Sequence, residues 1–450
     1  MSFPPDTESP LTRNKIFQIA WPIILSNISV PLLGLVDTAV IGNLGNAALI
    51  GAIAIGAMIF SFLYWGFGFL RMGTTGLIAQ ASGARNTGEI KAIIYRAMLV
   101  GLMIGLILVA LQIPLEMAAF FLIDGSSEVE SAAGVYFNIR IWSAPATLIN
   151  LAILGFFLGR QDSRTTLKLQ LILNGTNIVL DLIFVLGFGW EVAGVASATL
   201  IAEYVALTAG IYLAIKTLRR DEANLRVALG QLFDASALVH TLAVNRDILI
   251  RTLCLIFAFA WFTNQGAQAG DVLLAANAIL MQLVSFAAFF LDGFALAAES
   301  LVGHAVGSGD KRDLHRTILL STQFAAATAV GLTLVYYLLG GWIVSFLTNV
   351  DSVIAACRIY LPWAILSPIV SVWCYQLDGI FIGATKTQEM RNAMILSLIL
   401  YLASWWILSQ MFGNHGLWAS LMLYFLFRAG TLLAKLETIA PGILSSNRTT

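Results

Sequence analysis

Residues 21–42 read Trp21-Pro-Ile-Ile-Leu-Ser-Asn-Ile-Ser-Val-Pro-Leu-Leu-Gly-Leu-Val-Asp37-Thr-Ala-Val-Ile-Gly42. This is an apolar stretch long enough to cross a bilayer, and it carries one carboxylate and two prolines. An ionised group in hydrocarbon costs roughly 2.5–3.5 kcal/mol on insertion scales, so Asp37 needs a use or a partner. Pro22 and Pro31 each remove a helix hydrogen bond, which makes a bend cheap. A titratable group on a bendable helix is the outline of a proton-driven switch.

The rest of the chain has the same character. Of its 450 residues, 59% are hydrophobic and 11% charged, against about 25% charged in soluble proteins. The net charge is zero, which gives no global attraction to nucleic acid. Three cysteines lie in apolar segments and four histidines stand singly. They suggest neither a disulfide framework nor a metal site, and they supply no catalytic constellation for a membrane enzyme. Polar residues 1–15 lead straight into a long span, without a short signal-peptide core.

Hydropathy places twelve helices at about 16–41, 47–72, 92–113, 133–159, 166–188, 194–217, 247–265, 272–302, 315–339, 353–383, 393–411 and 415–436. Arg13, Lys15, Arg85, Lys91, Arg160, Arg164, Lys168, Arg219, Arg220, Arg226, Lys311, Arg312, Lys386 and Arg391 fall in the N-terminus or the even-numbered loops. The odd-numbered loops hold acids and no Lys or Arg. By the positive-inside rule both termini are cytoplasmic, in a multi-pass protein of the bacterial-type inner membrane. One long polar connection separates an N-terminal lobe (1–218) from a C-terminal lobe (247–450). That linker, 219–246, reads either as solvated or as a short amphipathic helix built on Leu225, Leu229, Leu232, Phe233 and Leu238.

The halves repeat. An offset of 224 pairs Gly42 with Gly266, Gly83 with Gly307, Gly155 with Gly379 and Gly159 with Gly383. It also aligns Gln80-Ala-Ser-Gly-Ala-Arg-Asn86 with His304-Ala-Val-Gly-Ser-Gly-Asp310, both expected to follow a second helix. With six helices per repeat, both halves insert the same way up, related by a pseudo-two-fold axis along the membrane normal. Secondary transporters often take this form.

Intramembrane acids then mark the site. Asp37 and Asp181 both fall in the outer half of the N-terminal lobe. Asn174, Asn177 and Asp181 share one helical face, and Thr199 sits at similar depth. Desolvation and mutual repulsion act against both carboxylates being charged at once, so they suit a proton carrier. A carboxyl that only locks helix packing is the alternative. Under the repeat, Asp37 falls on Trp261 and Asp181 near Trp405, so the acids belong to one lobe. Glu203, near mid-membrane, reads as a third site member or a packing partner. Asp292, Glu299 and Asp378 read as C-lobe ion pairs or gate contacts, with substrate contact as the alternative. Arg71, Arg251 and Arg428 are candidate partners. Arg140 and Arg358 read as snorkelling residues.

Several ordered motifs, Pro31-Leu-Leu-Gly-Leu-Val-Asp37, Leu70-Arg-Met-Gly-Thr-Thr-Gly76, Leu291-Asp-Gly-Phe-Ala-Leu-Ala-Ala-Glu-Ser300 and Leu377-Asp-Gly-Ile-Phe-Ile-Gly383, span nearly the whole chain. They resemble the DinF-type branch of the multidrug and toxic compound extrusion (MATE) family. The resemblance implies an all-α, twelve-helix, two-lobe exporter that exchanges cations inward for amphipathic or cationic organic compounds outward. It places the cation site at Asp37 and Asp181, with Asn177 and Thr199 as neighbours. It places the bend of the first helix at Pro22, with Pro31 as the other candidate hinge. The NorM-type branch uses an acid on helix seven, whereas residues 247–265 have none within their apolar body. That favours protons, with sodium at the same pair as the alternative. No cofactor is implied, and a monomer suffices. A lipid-linked oligosaccharide flippase of the same superfamily is a rival, weakened by the scarcity of intramembrane arginine. The major-facilitator reading is weaker still, because its basic loop motif after helix two is missing. A Gly-x-x-x-x-Gly-Lys phosphate loop is also missing, so ATP driving is unsupported.

Overall fold

The computed structural model describes residues 12–42, 47–122, 127–222 and 224–443, with side chains described over these ranges except at 30–42, 47–48, 122 and 229. Helices account for nearly all of it. They are α1 (Arg13–Gly42), α2 (Ala47–Gly66), α3 (Phe69–Gly83), α4 (Thr87–Ala110), α5 (Gln112–Leu122), α6 (Ser127–Arg140), α7 (Ala144–Gly159) and α8 (Ser163–Asp181). Then follow α9 (Glu191–Asp221), α10 (Leu229–Leu232), α11 (Ala235–Gln268), α12 (Asp271–Ser308), α13 (Lys311–Leu347), α14 (Asp351–Gly383), α15 (Thr387–Phe412) and α16 (Asn414–Leu433). Among the described residues, ten helical segments are long and apolar enough to cross a membrane. They include α2–α3 and α6–α7 as broken single spans; α1 and α11 complete the twelve-helix set.

The C-terminal ends of the second and eighth spans differ from the hydropathy reading. The second span does not stop at 72 but turns at Phe67–Gly68 and continues as α3 to Gly83. The eighth likewise runs on to Ser308. The motifs at 80–86 and 304–310 therefore lie largely inside helices. The cause is small-residue packing, to which a hydropathy window is blind. A Cβ built on Gly155 of α7 would sit 2.5 Å from the carbonyl oxygen of Arg71 on α3, and one on Gly159 would sit 2.6 Å from that of Thr75. In the second half, Gly379 and Gly383 of α14 meet the carbonyls of Ala295 and Glu299 on α12, closer still. Glycine and carbonyl positions both shift by 224, so the two halves share one helix-crossing geometry.

The turns repeat too. Arg85 (φ 54°) and Gly309 (φ 73°) occupy one left-handed turn position, and Gln161 (φ 63°) and Thr385 (φ 52°) another, each pair again 224 apart. Three of these turns hand over to a capping side chain. Asn86 accepts from the Glu89 N–H at 3.0 Å, Asp162 from Thr165 at 3.1 Å, and Asp310 from Arg312 at 2.8 Å. Such caps satisfy amides that a helix start leaves without partners. Helix α3 packs on α4 and α7, and α12 on α13 and α14; α8 packs on α9, and α15 on α16.

The chain divides into two compact units, residues 25–252 and residues 1–24 with 253–450. The boundaries fall inside helices: α1 passes from one unit to the other at Ile24–Leu25, and α11 at Thr252–Leu253. Within the first unit, residues 222–231 are tied to α4. Lys91 Nζ donates to Glu222 Oε2 at 2.7 Å and to the Asn224 carbonyl at 2.8 Å. Tyr95 Oη donates to the Leu225 carbonyl at 3.2 Å, and Arg96 Nη2 to that of Gln231 at 3.2 Å. Helical structure in the 219–246 connection is the single turn α10, flanked by the end of α9 and the start of α11.

Candidate functional site

Helix α8 carries a row of polar side chains at i, i+3/i+4 and i+7 spacing, which keeps them on one face. Gln170 Nε2 donates to Asn174 Oδ1 at 3.0 Å. Asn174 Nδ2 in turn donates to Ser29 of α1, at 2.9 Å to Oγ and 3.2 Å to the carbonyl. One turn on, Asn177 Nδ2 donates to Thr199 Oγ1 of α9 at 3.0 Å, and Thr199 donates to the Val195 carbonyl at 2.9 Å. Asp181 ends the row with 0% of its surface exposed. Directly after it the backbone widens into a π-helix, Leu182–Gly187, a geometry often found at functional sites. Three helices thus converge on one buried polar strip in the first unit. The side chains of Pro31 and Asp37 lie outside the described residues. Pro22 is buried in α1, which runs as one helix through both prolines.

Glu203, one turn beyond Thr199 on α9, is turned into a second polar cluster. Its Oε1 lies 3.7 Å from Arg140 Nη2, and its Oε2 accepts from Asn150 Nδ2 at 2.9 Å. Arg140 bonds Ser143, and its guanidinium lies 5.6 Å from the ring centres of both Phe60 and Tyr64. The snorkelling reading of Arg140 is therefore overturned, since it is 8% exposed and paired across helices. A buried carboxylate on α9 is a better partner for its charge than a headgroup layer. The signal available in the sequence was Glu203 itself, an intramembrane acid in want of a cation.

In the second unit, Asp378 Oδ2 accepts from Arg428 Nη2 at 2.6 Å, with the two side chains 5% and 1% exposed. The Arg428 guanidinium sits 5.7 Å from the Tyr375 ring centre and 5.6 Å from that of Tyr424. Glu299 is buried and Asp292 half-buried on α12, while Arg71 belongs to α3 of the other unit. Trp261 and Trp405, the repeat counterparts of Asp37 and Asp181, touch edge to face with ring centres 4.9 Å apart. A network that sequence reasoning missed joins Asn277, Asn414 and Trp418. The two amides pair at 2.9 and 3.0 Å, and the Trp418 indole N–H donates to Asn277 Oδ1 at 2.9 Å. Among the described residues, no group of three or more His, Cys, Asp or Glu side chains is placed to hold a metal ion.

Known proteins share this sequence and architecture. The MatE family model matches residues 22–183 and 248–407, one stretch in each repeat. DNA damage-inducible protein F of Escherichia coli K12 is 39% identical over 93% of this chain and 91% of its own length. A probable multidrug resistance protein NorM of Thermotoga maritima is 26% identical over 68% of this chain and 66% of its own length. Among solved structures, a MATE in the bent conformation superposes with a TM-score of 0.85 at 18% identity, covering 97% of both chains. A MOP-superfamily transporter from Pyrococcus furiosus superposes at 0.84 and 16% identity over 96% of both chains. At those identities the structures speak for the fold alone, while the sequence matches carry the family assignment. With two matched repeats and a relative at 39% identity along most of its length, this chain belongs to the MatE family of multidrug efflux transporters.

Proposed function

We propose that the chain is a proton-coupled antiporter of the inner membrane, with both termini cytoplasmic, which exports amphipathic or cationic organic compounds by alternating access. Asp37 and Asp181 are its proton-carrying pair, and a monomer is its working unit. The observation that carries this reading is the fully buried Asp181 at the end of the Asn174–Asn177–Thr199 row. Neutral amides and hydroxyls can hydrogen-bond a carboxyl in either protonation state, so the site tolerates gain and loss of a proton.

Helix geometry supports pairing the two acids. Ser29 of α1 meets Asn174 of α8. Asp37 lies eight residues beyond Ser29, about 12 Å along its helix, and Asp181 seven beyond Asn174, about 10.5 Å. Both helices run outward in the proposed topology, which brings the acids to one level. Their counterparts Trp261 and Trp405 touch, which supports the same juxtaposition in the first repeat. Pro22 lies two residues before the point where α1 changes unit, a suitable place for a hinge because the missing N–H leaves the Gln18 carbonyl without its helix partner. Protonation from outside then removes charge from the strip, the first helix bends, and the compound is released outward. The membrane potential supplies roughly 2.3 kcal/mol per charge per 100 mV.

The test is efflux of a fluorescent cationic dye from proteoliposomes under separate pH and sodium gradients, with wild type, Asp37→Asn and Asp181→Asn. Transport driven by the pH gradient in wild type and lost in both variants, at normal expression, is the expected result. Sodium-driven transport would replace the ion, and full proton-driven transport by either variant would sink the assigned pair.

A further inference from the structure

The two units treat one equivalent groove differently. In the first unit the groove between α4, α7 and α9 is filled. Ile94, Ile149, Ile153 and Phe156 form its core, and Leu225 from the segment after α9 packs against it. Lys91 fastens that segment through Glu222 and the Asn224 carbonyl. Shifted by 224, Lys91 becomes His315, Ile149 becomes Trp373, Ile153 becomes Leu377 and Phe156 becomes Ile380. In the second unit these positions, between α13, α14, α16 and the segment after it that brings Leu436 and Ile443, line a cavity of about 630 Å³ among the described residues. That is within the range of small-ligand sites.

The cavity has unmet polar demands. Gln376 is 2% exposed, and its Nε2 donates to Ser321 Oγ at 2.6 Å, while its buried Oε1 has no hydrogen-bond partner. Turned the other way, the carboxamide would still leave one polar atom unpaired. The buried Nε2 of His315 also lacks a partner. Such atoms cost free energy unless a ligand or water meets them. Among the described residues the lining holds two basic side chains, His315 and the exposed Arg316, and no carboxylate. Its remaining walls are mostly apolar, with Trp373 and Leu377 beside Gln376.

We propose that this groove binds one anionic phospholipid of the cytoplasmic leaflet. The phosphate is held by Arg316 and His315, the glycerol–ester region meets Gln376, and an acyl chain lies against Leu319, Leu377 and Ile380. Charge-assisted bonds from basic side chains suit a phosphate oxygen. Ser321, which Gln376 bonds, lies five residues beyond Arg316 on α13, about 7.5 Å deeper. That spacing suits the step from a lipid phosphate to its ester carbonyls. Basic pockets between helices at the cytoplasmic face are a known mode of headgroup binding. The lipid does in the second repeat what the Leu225 segment does in the first, covering the apolar groove and neutralising the basic position above it. The choice of leaflet rests on the topology proposed above. The binding itself does not depend on transport, so its failure would leave the antiporter reading intact.

The experiment is native mass spectrometry of the delipidated full-length protein in detergent, titrated with phosphatidylglycerol, phosphatidylcholine or soluble glycerol 3-phosphate. One phosphatidylglycerol should be retained at least about tenfold more tightly than phosphatidylcholine, because both carry the phosphodiester but the choline ammonium of phosphatidylcholine cancels its charge and meets Arg316 and His315 with like charge. The double variant His315→Ala/Arg316→Ala should lose that preference. Gly430→Leu should lose both lipids, because a Cβ at this lining position meets nothing within 4 Å and the side chain would enter the groove. Wild-type thermal midpoints in the variants establish folding. Equal retention of the two lipids, or unchanged phosphatidylglycerol binding in both variants, would overturn the proposal. Glycerol 3-phosphate binding as tightly as the lipid would do so too, by assigning the site to a soluble phosphate.

Discussion

Replacing Arg428 by methionine tests whether the Asp378–Arg428 pair is scaffolding. The substitution keeps much of the side-chain volume and flexibility. It also removes the 2.6 Å bond to Asp378 and the stacking on Tyr375 and Tyr424. Breaking one side of a buried ion pair costs about 3–5 kcal/mol. For a unit of this size each kcal/mol moves a thermal midpoint by about 2–4 °C, so the expected fall is roughly 6–20 °C. Asp378→Asn should fall comparably, since it strands the guanidinium. The double variant Asp378→Asn/Arg428→Met is the discriminating member. Arg428 Nε and Nη1 are buried without hydrogen-bond partners, so the pair already carries uncompensated desolvation. Removing both charges should therefore recover most of the loss. The assay is thermal unfolding of the purified, detergent-solubilised chain followed by tryptophan fluorescence, arranged as a double-mutant cycle. A single Arg428→Met within about 2 °C of wild type, or a double variant falling by the sum of the singles, would refute the reasoning.

The same physics makes further demands. Gly379→Val should prevent α12 from lying against α14 and lower folded yield strongly, whereas Gly331→Ala, where a Cβ meets nothing within 4 Å, should leave yield unchanged. Gln161→Gly relieves a left-handed residue (φ 63°) and should raise the thermal midpoint, or at least not lower it, for a relief of about 1 kcal/mol. The hydrogen bond from Lys91 and its charge hold Glu222 below the ordinary glutamate value of 4.5. Stability from a lowered carboxylate pKa is present above the unfolded value and lost as pH falls through the folded one. Protection of the amides at 224–231, taken as exchange relative to the intrinsic rate at each pH, should thus hold above about pH 5 and fall on acidification below it. Glu222→Gln should give low protection throughout. Arg140→Met should destabilise the first unit by about 3–5 kcal/mol, with recovery in Arg140→Met/Glu203→Gln, read by the same thermal cycle.

Much of this protein is written locally. The spans, the loop charges from which an orientation is proposed and the glycines recurring at a 224-residue offset are properties of short stretches. Each depends on one segment meeting a bilayer or turning a corner, so the twelve-helix repeat and the family resemblance could be read in order along the chain. The Asn174–Asn177–Asp181 row was legible for the same reason, because helical spacing alone puts it on one face. Partners were not legible. Arg140 looked like a snorkelling residue until α9 brought Glu203 to within 3.7 Å. Asp378 had several arginines to choose from until α16 put Arg428 beside it. Likewise, the sequence does not say that Leu225 packs into the groove beside Ile149, or that its counterpart beside Trp373 is a cavity among the described residues. Periodicity determines which face of a helix a residue occupies. Which residue of another helix meets that face depends on crossing angles and small-residue contacts far apart in the chain, and only the tertiary structure decides those.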